Sequence, residues 1–382
     1  MTAPIVQTVP LFPLPPAPPA AVRFPISWLV EHASVPLQYR AIIDVAKIGP
    51  SMPRALSHLP YSFKPAIELA VMQSAAGVWN NAMLALPARG SEGFEGIGSV
   101  HAVRRLLEYG WDRDSPPVFH ARRTLFRLLA EDDDPALMFE FAPKALAKGK
   151  PDVEVNAMLR QTLREAAGAA LAQAGFEADP RLRGAARRTL DRIMAFFRSS
   201  FGEKPWIRVG NQQVLAAEAF PPSIYALQML AHMPLFRSEH YEGMERLYQW
   251  LTRPLPRQEQ VQLVGKKFVP VPIYVMGDRL PHRNAVEADV PAALGWLEMI
   301  ARLGFLRRSE TWTKMYERFV DDCGRDGVWH PHKGMAMPRS SQGWVWPAYP
   351  LESSHSGEER WADVTFRIGL IARLSGRAID LL

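Results

Sequence analysis

The sequence predicts an all-α protein, because helical periodicity dominates the chain, helix starts recur along it and evidence for strands is thin. Apolar residues from Val155 to Ala174 recur at i, i+4 spacing, and Gly175 follows where a helix would end. Two apolar runs that could form strands, 207–209 and 268–276, are short, and the second contains two prolines. We therefore interpret both runs as extended loops or a small hairpin within a protein built from paired helices.

A proline-rich segment precedes the helical region. Residues 10–19 read PLFPLPPAPP, and this density of proline excludes a helix or a central strand. The whole chain is 48% apolar and 22% charged, which is the composition of a globular protein with a large core. We divide the chain into an extended arm, residues 1–23, and a single large α-helical domain, residues 24–382.

Capping residues followed by proline mark several helix starts. The starts that we predict in this way lie at Ser115, Asp134, Asp179 and Asp289. The last of these helices is expected to end near Gly304. Such signals recur along the chain and support a mainly helical fold.

The length of the apolar runs and the number of cysteines are the features of the sequence that bear on the cellular compartment. The chain contains no run of eighteen uncharged apolar residues and does not start with a signal peptide pattern, which predicts a cytoplasmic protein without a transmembrane segment. One cysteine, Cys323, excludes an internal disulfide bond.

The basic net charge does not indicate a nucleic-acid partner. The net charge is +6, and the densest basic stretch is RLRGAARRTLDR at 181–192, which is interrupted by Asp191. No zinc finger, basic region or aromatic–basic RNA motif accompanies it. We interpret this stretch as a solvated helix face and expect no nucleic-acid binding.

Two short segments far apart in the chain share a Gly-Val-Trp ending. The first is QSAAGVW, which ends at Gly77 and Trp79, and the second is CGRDGVW, which ends at Gly327 and Trp329. Their glycines are 250 residues apart, which fits five intervals of about 50, close to the length of a paired-helix repeat. The two segments therefore suggest a first and a last repeat.

The first segment, Gln73-x-x-x-Gly77-x-Trp79, resembles the QW repeat of squalene cyclases and related terpenoid cyclases. This resemblance implies an α/α toroid, in which the glutamine meets backbone groups at helix ends and packs against the tryptophan. The glycine permits a turn that a side chain would block. The second copy departs from the family pattern, because Cys323 stands in the place of the glutamine.

The same resemblance implies a terpenoid cyclase or prenyltransferase-like protein that binds an apolar, isoprenoid-type ligand in a central cavity. Class II cyclases use an aspartate of a DxDD motif as the proton donor, and EDDD at 131–134 departs from it at the first position. A solvated capping run is the other interpretation of this stretch. Our candidates for catalytic residues are Asp278, His282, Asp326 and His330.

A metal site is a further hypothesis for the segment that contains the second Gly-Val-Trp. Cys323, His330 and His332 could bind zinc, with Asp321 or Asp322 as a fourth ligand. The pair Asp321-x-Cys323 also resembles the zinc ligands of protein prenyltransferases. Alternatively, Cys323 is an apolar substitute for the motif glutamine, and no metal is bound.

Aromatic residues near the C-terminus are candidates for ligand contacts. Trp344, Trp346 and Tyr349 lie in a long polar loop, where they could line the rim of a cavity and stabilise a cationic intermediate. The alternative is that they only anchor the loop.

Two other functional classes stay open. A non-catalytic helical scaffold could bind a protein or peptide partner, in which case the Gly-Val-Trp turns would be purely structural. A carbohydrate-active enzyme would use paired carboxylates, whose separation the sequence does not give. Whether the protein is an enzyme is therefore an open question at this stage.

Overall fold

Helices of all types form just over half of the residues that the computed structural model describes. The residues described are 20–48, 55–87, 93–130, 139, 153–280, 289–331, 340, 342–352 and 357–382. In chain order the helices are α1 (Ile26–His32), α2 (Val35–Arg40), α3 (Lys64–Val71), α4 (Ser99–Glu108), α5 (Pro116–Leu129), α6 (Val153–Gln173), α7 (Pro180–Arg198), α8 (Ile224–Ala231), α9 (Pro234–Glu239), α10 (Tyr241–Leu251), α11 (Val290–Arg302), α12 (Glu310–Asp321) and α13 (Gly357–Leu374). A π-helical turn, Ala41–Ala46, continues α2. None of the described helices is long and apolar enough to cross a membrane.

The prediction of an all-α fold is wrong, because six short strands form two sheets. The strands are β1 (Val22–Phe24), β2 (Trp206–Val209), β3 (Gln212–Leu215), β4 (Val261–Val264), β5 (Lys267–Pro270) and β6 (Ile379–Leu381). The larger sheet has the order β2-β3-β4-β5 and consists of two hairpins. Each strand spans only three or four residues, which is too few for alternation to stand out in the sequence.

Glycines at the two hairpin turns explain why these segments form strands. Gly210 and Gly265 have φ values of 61° and 60°, the left-handed conformation that tight hairpin turns require. Pro270 ends β5 at the edge of the sheet, where a missing N–H is tolerated. A closed toroid, the second part of the predicted fold class, is not shown by the helices described.

The two ends of the described chain meet in the smaller sheet. β1 pairs in parallel with β6, and Leu382 N donates to Phe24 O at 2.9 Å. Ser27 Oγ donates to Leu382 O at 3.1 Å. Residues 1–19 of the predicted arm lie outside the described residues, and Val22, near its predicted end, is buried. The division into arm and domain stays a prediction.

Helix α6 lies at the centre of the packing. It contacts α4, α5, α7 and α8, while α11 packs on α13, and α13 packs on α1 and α2. The helix predicted from the apolar stripe is confirmed as α6, although residues 165–172 are buried on every side of it, and Gly175 has a φ of 83° just beyond its end. Buried alanines on α6 allow the close approach of neighbouring helices. They are Ala166, Ala167, Ala169, Ala170 and Ala172.

Two of the predicted helix starts carry the expected cap. Asp179 Oδ1 accepts from Arg181 N at 2.9 Å, and Asp289 Oδ1 accepts from Ala292 N at 2.9 Å. Ser115 begins α5 without such a bond, because its hydroxyl donates to Asp112 O instead. The start predicted at Asp134 lies outside the described residues.

Candidate ligand-binding cavity

A buried glutamate at the end of α4 joins three other helices. The Glu108 carboxylate accepts from Arg367 Nη2 of α13 at 2.6 Å and from Gln173 Nε2 of α6 at 2.7 Å. It also forms an ion pair with Arg40 of α2. The side chains of Glu108 and Arg367 are only 7% and 3% exposed. Burial alone would raise the pKa of Glu108, but Arg367 and Arg40 hold it well below its ordinary value.

A second buried glutamate continues this network on α11. Arg367 Nη1 donates to Glu298 Oε2 at 2.7 Å, so this arginine bridges the two glutamates. Arg302 Nε donates to Glu298 Oε1 at 3.0 Å. Burial opposes ionisation of Glu298, but Arg367 and Arg302 lower its pKa below the ordinary value. Both glutamates are therefore charged at neutral pH.

The network reaches α8 through amide side chains. Arg104 Nε donates to Gln173 Oε1 at 2.8 Å, and Arg104 Nη1 donates to Gln228 Oε1 at 2.5 Å. Arg104 and Gln228 are both buried. Gln173 thus accepts from Arg104 and donates to Glu108, which joins α4, α6 and α8 by polar contacts.

The local sequence explains how each helix presents these groups. Arg104 and Glu108 on α4 are four residues apart, as are Glu298 and Arg302 on α11, so each pair lies on one helix face. Arg40 and Asp44 have the same spacing and pair at 2.8 Å across the π-helical turn. Such pairs usually lie on solvated faces, but here every member except Asp44, which is 36% exposed, is buried or nearly so.

A cavity of about 520 Å³ opens onto this network, and we call it the Arg–Glu cavity. Arg40, Glu108, Gln173, His232 and Arg302 line its inner part. Its mouth is formed by exposed residues of the loop after α4, which include Asp112, Arg113 and Asp114. The cavity therefore connects solvent to buried charged groups from several helices.

Ten charged residues of the described chain either line the cavity or form a hydrogen bond or ion pair with a residue that lines it, and their charges cancel. We call these ten residues the charged cluster. The arginines are Arg40, Arg104, Arg113, Arg302 and Arg367, and the carboxylates are Asp44, Glu108, Asp112, Asp114 and Glu298. The cluster has five positive and five negative groups.

Two titratable groups in the cavity are neutral. Burial, with the positive charges of Arg302 and Arg104, lowers the pKa of His232 well below its ordinary value. His232 is half-buried and lines the cavity. Burial and the carboxylates of Asp44 and Asp112 raise the pKa of Tyr39, so its hydroxyl stays protonated.

Asp278, a predicted catalytic residue, is buried at a different place. Its Oδ1 accepts from Leu280 N at 2.9 Å, and burial raises its pKa. The indoles of Trp296 and Trp312 approach the carboxylate and lower this pKa, although neither indole N–H forms a hydrogen bond of ordinary geometry. Asp278 does not line the Arg–Glu cavity. The other catalytic candidate of this loop, His282, lies outside the described residues.

The predicted metal site does not assemble among the described residues. Cys323 Sγ donates to Phe319 O at 3.4 Å, and burial with the neighbouring aspartates raises the pKa of its thiol to about 12. His330 Nε2 lies 3.9 Å from Asp326 Oδ2, and both side chains are largely exposed, at 44% and 61%. No group of three His, Cys, Asp or Glu converges in the part of the chain that the structure describes. His332 and residues 131–134 lie outside that part.

The three predicted aromatic ligand contacts are separated from the cavity. Trp344 packs on Gly295 of α11 and lies 5.8 Å below the Arg279 guanidinium. Trp346 meets the Arg105 guanidinium at 4.9 Å, and Tyr349 is buried. Arg105 also donates to backbone carbonyls of residues 346, 347 and 350, which fixes this loop to α4. These contacts are those of a loop anchor.

The first Gly-Val-Trp segment forms a turn that ties two helices together. Gln73 Nε2 donates to Gly77 O at 3.1 Å and to Pro117 O, in the first turn of α5, at 2.8 Å. Trp79 Nε1 donates to Leu69 O at 2.7 Å. Gly77 has a φ of 80°, and a Cβ atom there would lie 2.8 Å from His120 O. The glycine is required by both conformation and space.

The second segment adopts the same turn with fewer side-chain bonds. Gly327 also has a φ of 80°, and a Cβ atom there would lie 3.0 Å from Arg23 O. Gly327 N donates to Gly324 O at 3.0 Å, as Gly77 N donates to Ser74 O at 2.9 Å. Trp329 N donates to a hydroxyl of α13, Thr365 Oγ1, at 3.0 Å. The thiol at 323 makes no bond to another helix.

Sequence reasoning missed the residues of the charged cluster. They are dispersed from residue 40 to residue 367, so no local stretch reveals them. The available signal was a pair of opposite charges at i, i+4 on a helix with apolar residues on all sides, as for Glu298 and Arg302 in VPAALGWLEMIAR.

No protein family model matches this chain, and comparisons with curated proteins and with solved structures likewise found no match.

Proposed function

We propose that the protein binds a small polar molecule in the Arg–Glu cavity. The observation that carries this proposal is the convergence of charged and amide side chains on one cavity of about 520 Å³ that is open to solvent. Small-molecule sites are typically cavities of about 300–1,000 Å³ with convergent polar groups. Arg40, Glu108, Gln173 and Arg302 supply such groups from four different helices.

Stability alone does not account for this network. Burying charged pairs removes them from water, and replacing them by apolar residues is often neutral or stabilising. The chain buries Arg40, Glu108, Glu298 and Arg367 together beside an open space, where filling with apolar side chains would be simpler. This arrangement is typical of a site that is preorganised for a ligand.

The isoprenoid ligand implied by the cyclase resemblance does not suit this cavity. An apolar chain would displace water from the guanidinium of Arg302 and the carboxylates at the mouth without offering hydrogen bonds. None of the aromatic residues predicted to contact such a ligand lines the cavity. The isoprenoid hypothesis therefore stays a prediction from the sequence without support from this site.

The cavity supports binding more directly than acid catalysis. A general acid must carry a proton at the working pH, and the pKa of Glu108 and of Glu298 is lowered by their arginine partners. His232 is neutral and lines the cavity, so it can accept or donate one hydrogen bond to a ligand.

A thiol placed in the cavity tests the proposal. In the Cys323→Ala background, His232→Cys introduces one thiol, whose labelling by methyl methanethiosulfonate is followed by intact-protein mass spectrometry. Sugars, sugar phosphates, small carboxylates and amines serve as probes at millimolar concentration. A bound probe at ten times its Kd should slow labelling about elevenfold, because only the free protein reacts.

The matched control is His120→Cys in the same background, because His120 is exposed on α5. Its thiol should react at the same rate with and without every probe. The proposal is wrong if no probe protects the thiol introduced at position 232, or if probes protect both thiols equally.

A further inference from the structure

The geometry of the Arg–Glu cavity points to a neutral, polyhydroxylated ligand, such as a sugar or a cyclitol. This inference rests on the proposed function and names its ligand class. Three properties of the site carry it: the balance of charge in the charged cluster, the mixture of donors and acceptors on its wall, and its volume.

Charge balance argues against a charged ligand. The five arginines and five carboxylates of the charged cluster cancel, and the neutral His232 and Tyr39 add nothing. An anion or a cation that enters would lose its hydration without meeting a net opposite charge. A neutral polar molecule does not bear this cost.

The wall alternates between groups that donate and groups that accept. Guanidinium groups such as that of Arg302 only donate hydrogen bonds, and carboxylates such as that of Asp44 only accept them. A phosphate or carboxylate ligand could satisfy the donors but would face the acceptors, and an ammonium would do the reverse. A hydroxyl group both donates and accepts, so a polyol can satisfy both kinds of group.

The volume and the mouth fit a compact ligand. About 520 Å³ accommodates a molecule of one or two sugar rings within the range of small-molecule sites. The wall also offers apolar surface from Ile43, Leu107 and Trp111 beside the polar groups. A sugar ring presents C–H faces as well as hydroxyl groups, so it can use both kinds of surface.

Two sets of probes test the ligand class. The neutral set consists of glucose, maltose and myo-inositol, and the charged set consists of glucose 6-phosphate, citrate and glucosamine. For each probe we would measure protection of the thiol introduced by His232→Cys and thermal stabilisation of the unmodified protein. We expect at least one neutral polyol to protect, and its phosphorylated counterpart to bind at least about tenfold more weakly because of the buried extra charge.

A charge-shifting variant sharpens the test. Asp112→Asn keeps an acceptor oxygen for the amides of Asp114 and Ser115, which Asp112 Oδ1 now holds at 2.9 and 2.8 Å. It leaves the charged cluster with one excess positive charge. The preference for glucose over glucose 6-phosphate should then shrink by several fold, whereas Asp191→Asn, on an exposed face of α7, should leave it unchanged.

The two failures are distinguishable. If citrate or glucose 6-phosphate protects the thiol and neutral polyols do not, the ligand class is wrong while binding at the cavity stands. If no probe of any charge protects the thiol or stabilises the unmodified protein, both the ligand class and the proposed function are wrong. Unchanged selectivity in Asp112→Asn would also contradict the charge argument.

Discussion

The charged cluster and the turn from Cys323 to His330 contain similar side chains but place them in opposite environments. Arg367 and Glu108 of the cluster are almost fully buried, and each contacts groups from several helices. Asp326 and His330 of the turn are largely exposed, and their charged atoms are 3.9 Å apart. The charged side chains of the stretch that is most conspicuous in the sequence are therefore solvated, whereas the dispersed residues converge around the Arg–Glu cavity.

Convergence and desolvation, not local composition, distinguish the two regions. A charged pair in water contributes about 0–1 kcal/mol, whereas breaking a buried pair leaves an uncompensated charge and costs several times more. Variants in the charged cluster should therefore lower the stability of the protein much more than variants in the turn.

Removal of the bridging arginine should have the largest effect. Arg367→Met deprives Glu108 and Glu298 of a shared partner and should lower the free energy of unfolding by about 3–5 kcal/mol. Urea unfolding followed by circular dichroism measures this loss. Arg308→Met is the control, because its pair with Glu245 is about one-third exposed and should contribute at most about 1 kcal/mol. Equal losses in the two variants would contradict the comparison.

A buried carboxylate beside the cluster gives a pH-dependent test. Burial raises the pKa of Asp363 to about 6, although the N–H of Leu351 and the charge of Arg367 act in the opposite direction. The native state therefore binds this proton more tightly than the unfolded state. The free energy of unfolding should fall by up to about 3 kcal/mol as the pH rises from about 4 to about 6.

The Asp363→Asn variant isolates this contribution. Relative to the natural protein, it should become progressively more stable over the same pH interval, measured by urea unfolding at four pH values. A constant difference for Asp363→Asn would show that this carboxyl is not raised in pKa.

The contribution of the turn to the stability of the protein should depend on its backbone conformation more than on its polar side chains. Gly327→Ala places a Cβ atom 3.0 Å from Arg23 O at a φ of 80°, which should cost about 1–3 kcal/mol. Gly304→Ala is the control, because Gly304 has the same φ but no atom within 4 Å of a built Cβ. It should cost about 1 kcal/mol. If the control loses as much stability, crowding at Arg23 is unimportant.

The smallest effect is expected for the polar side chains of the turn. Cys323→Ala combined with His330→Ala should change the free energy of unfolding by less than about 1 kcal/mol, because neither side chain forms a hydrogen bond or ion pair with another helix and His330 only packs edge-on against Trp361 of α13 at 4.9 Å. Burial raises the pKa of the Cys323 thiol to about 12, so native protein should react with a disulfide reagent at least about tenfold more slowly than unfolded protein. Rapid labelling, or loss of bound zinc in the variant, would restore the metal hypothesis.

Helix patterns were predictable, because they depend on local residues. Helix α6, the caps at Asp179 and Asp289, and the left-handed glycines after α6 and α11 follow from spacing and from side-chain chemistry within a few residues. The strands were predictable only in part. Residues 207–209 and 268–276 were interpreted as extended loops or a small hairpin, because so short an alternation does not separate a strand from a loop. The hairpin glycines were the remaining signal.

The candidate site could not be predicted, because its residues are brought together only by tertiary packing. Arg40 and Arg367 are separated by most of the chain but share Glu108. The local density of Asp, Cys and His at 321–332 suggested a metal site as one hypothesis, yet a helix-ending turn with a solvated face has the same composition. Buried polar residues indicate a candidate site only once the packing of the helices that carry them is known.

The most direct test of the cavity as the binding site is whether filling it with an apolar side chain removes ligand binding without removing the fold. Ile43→Trp enlarges an apolar side chain that lines the Arg–Glu cavity, and Ile67→Trp, at an exposed position of α3, is the surface control. Thermal unfolding is recorded for each variant with and without the polyol that protects best in the thiol assay. We expect the ligand-induced rise in melting temperature to persist in Ile67→Trp and the natural protein and to disappear in a folded Ile43→Trp. An undiminished rise in Ile43→Trp would contradict the assignment of the cavity as the binding site.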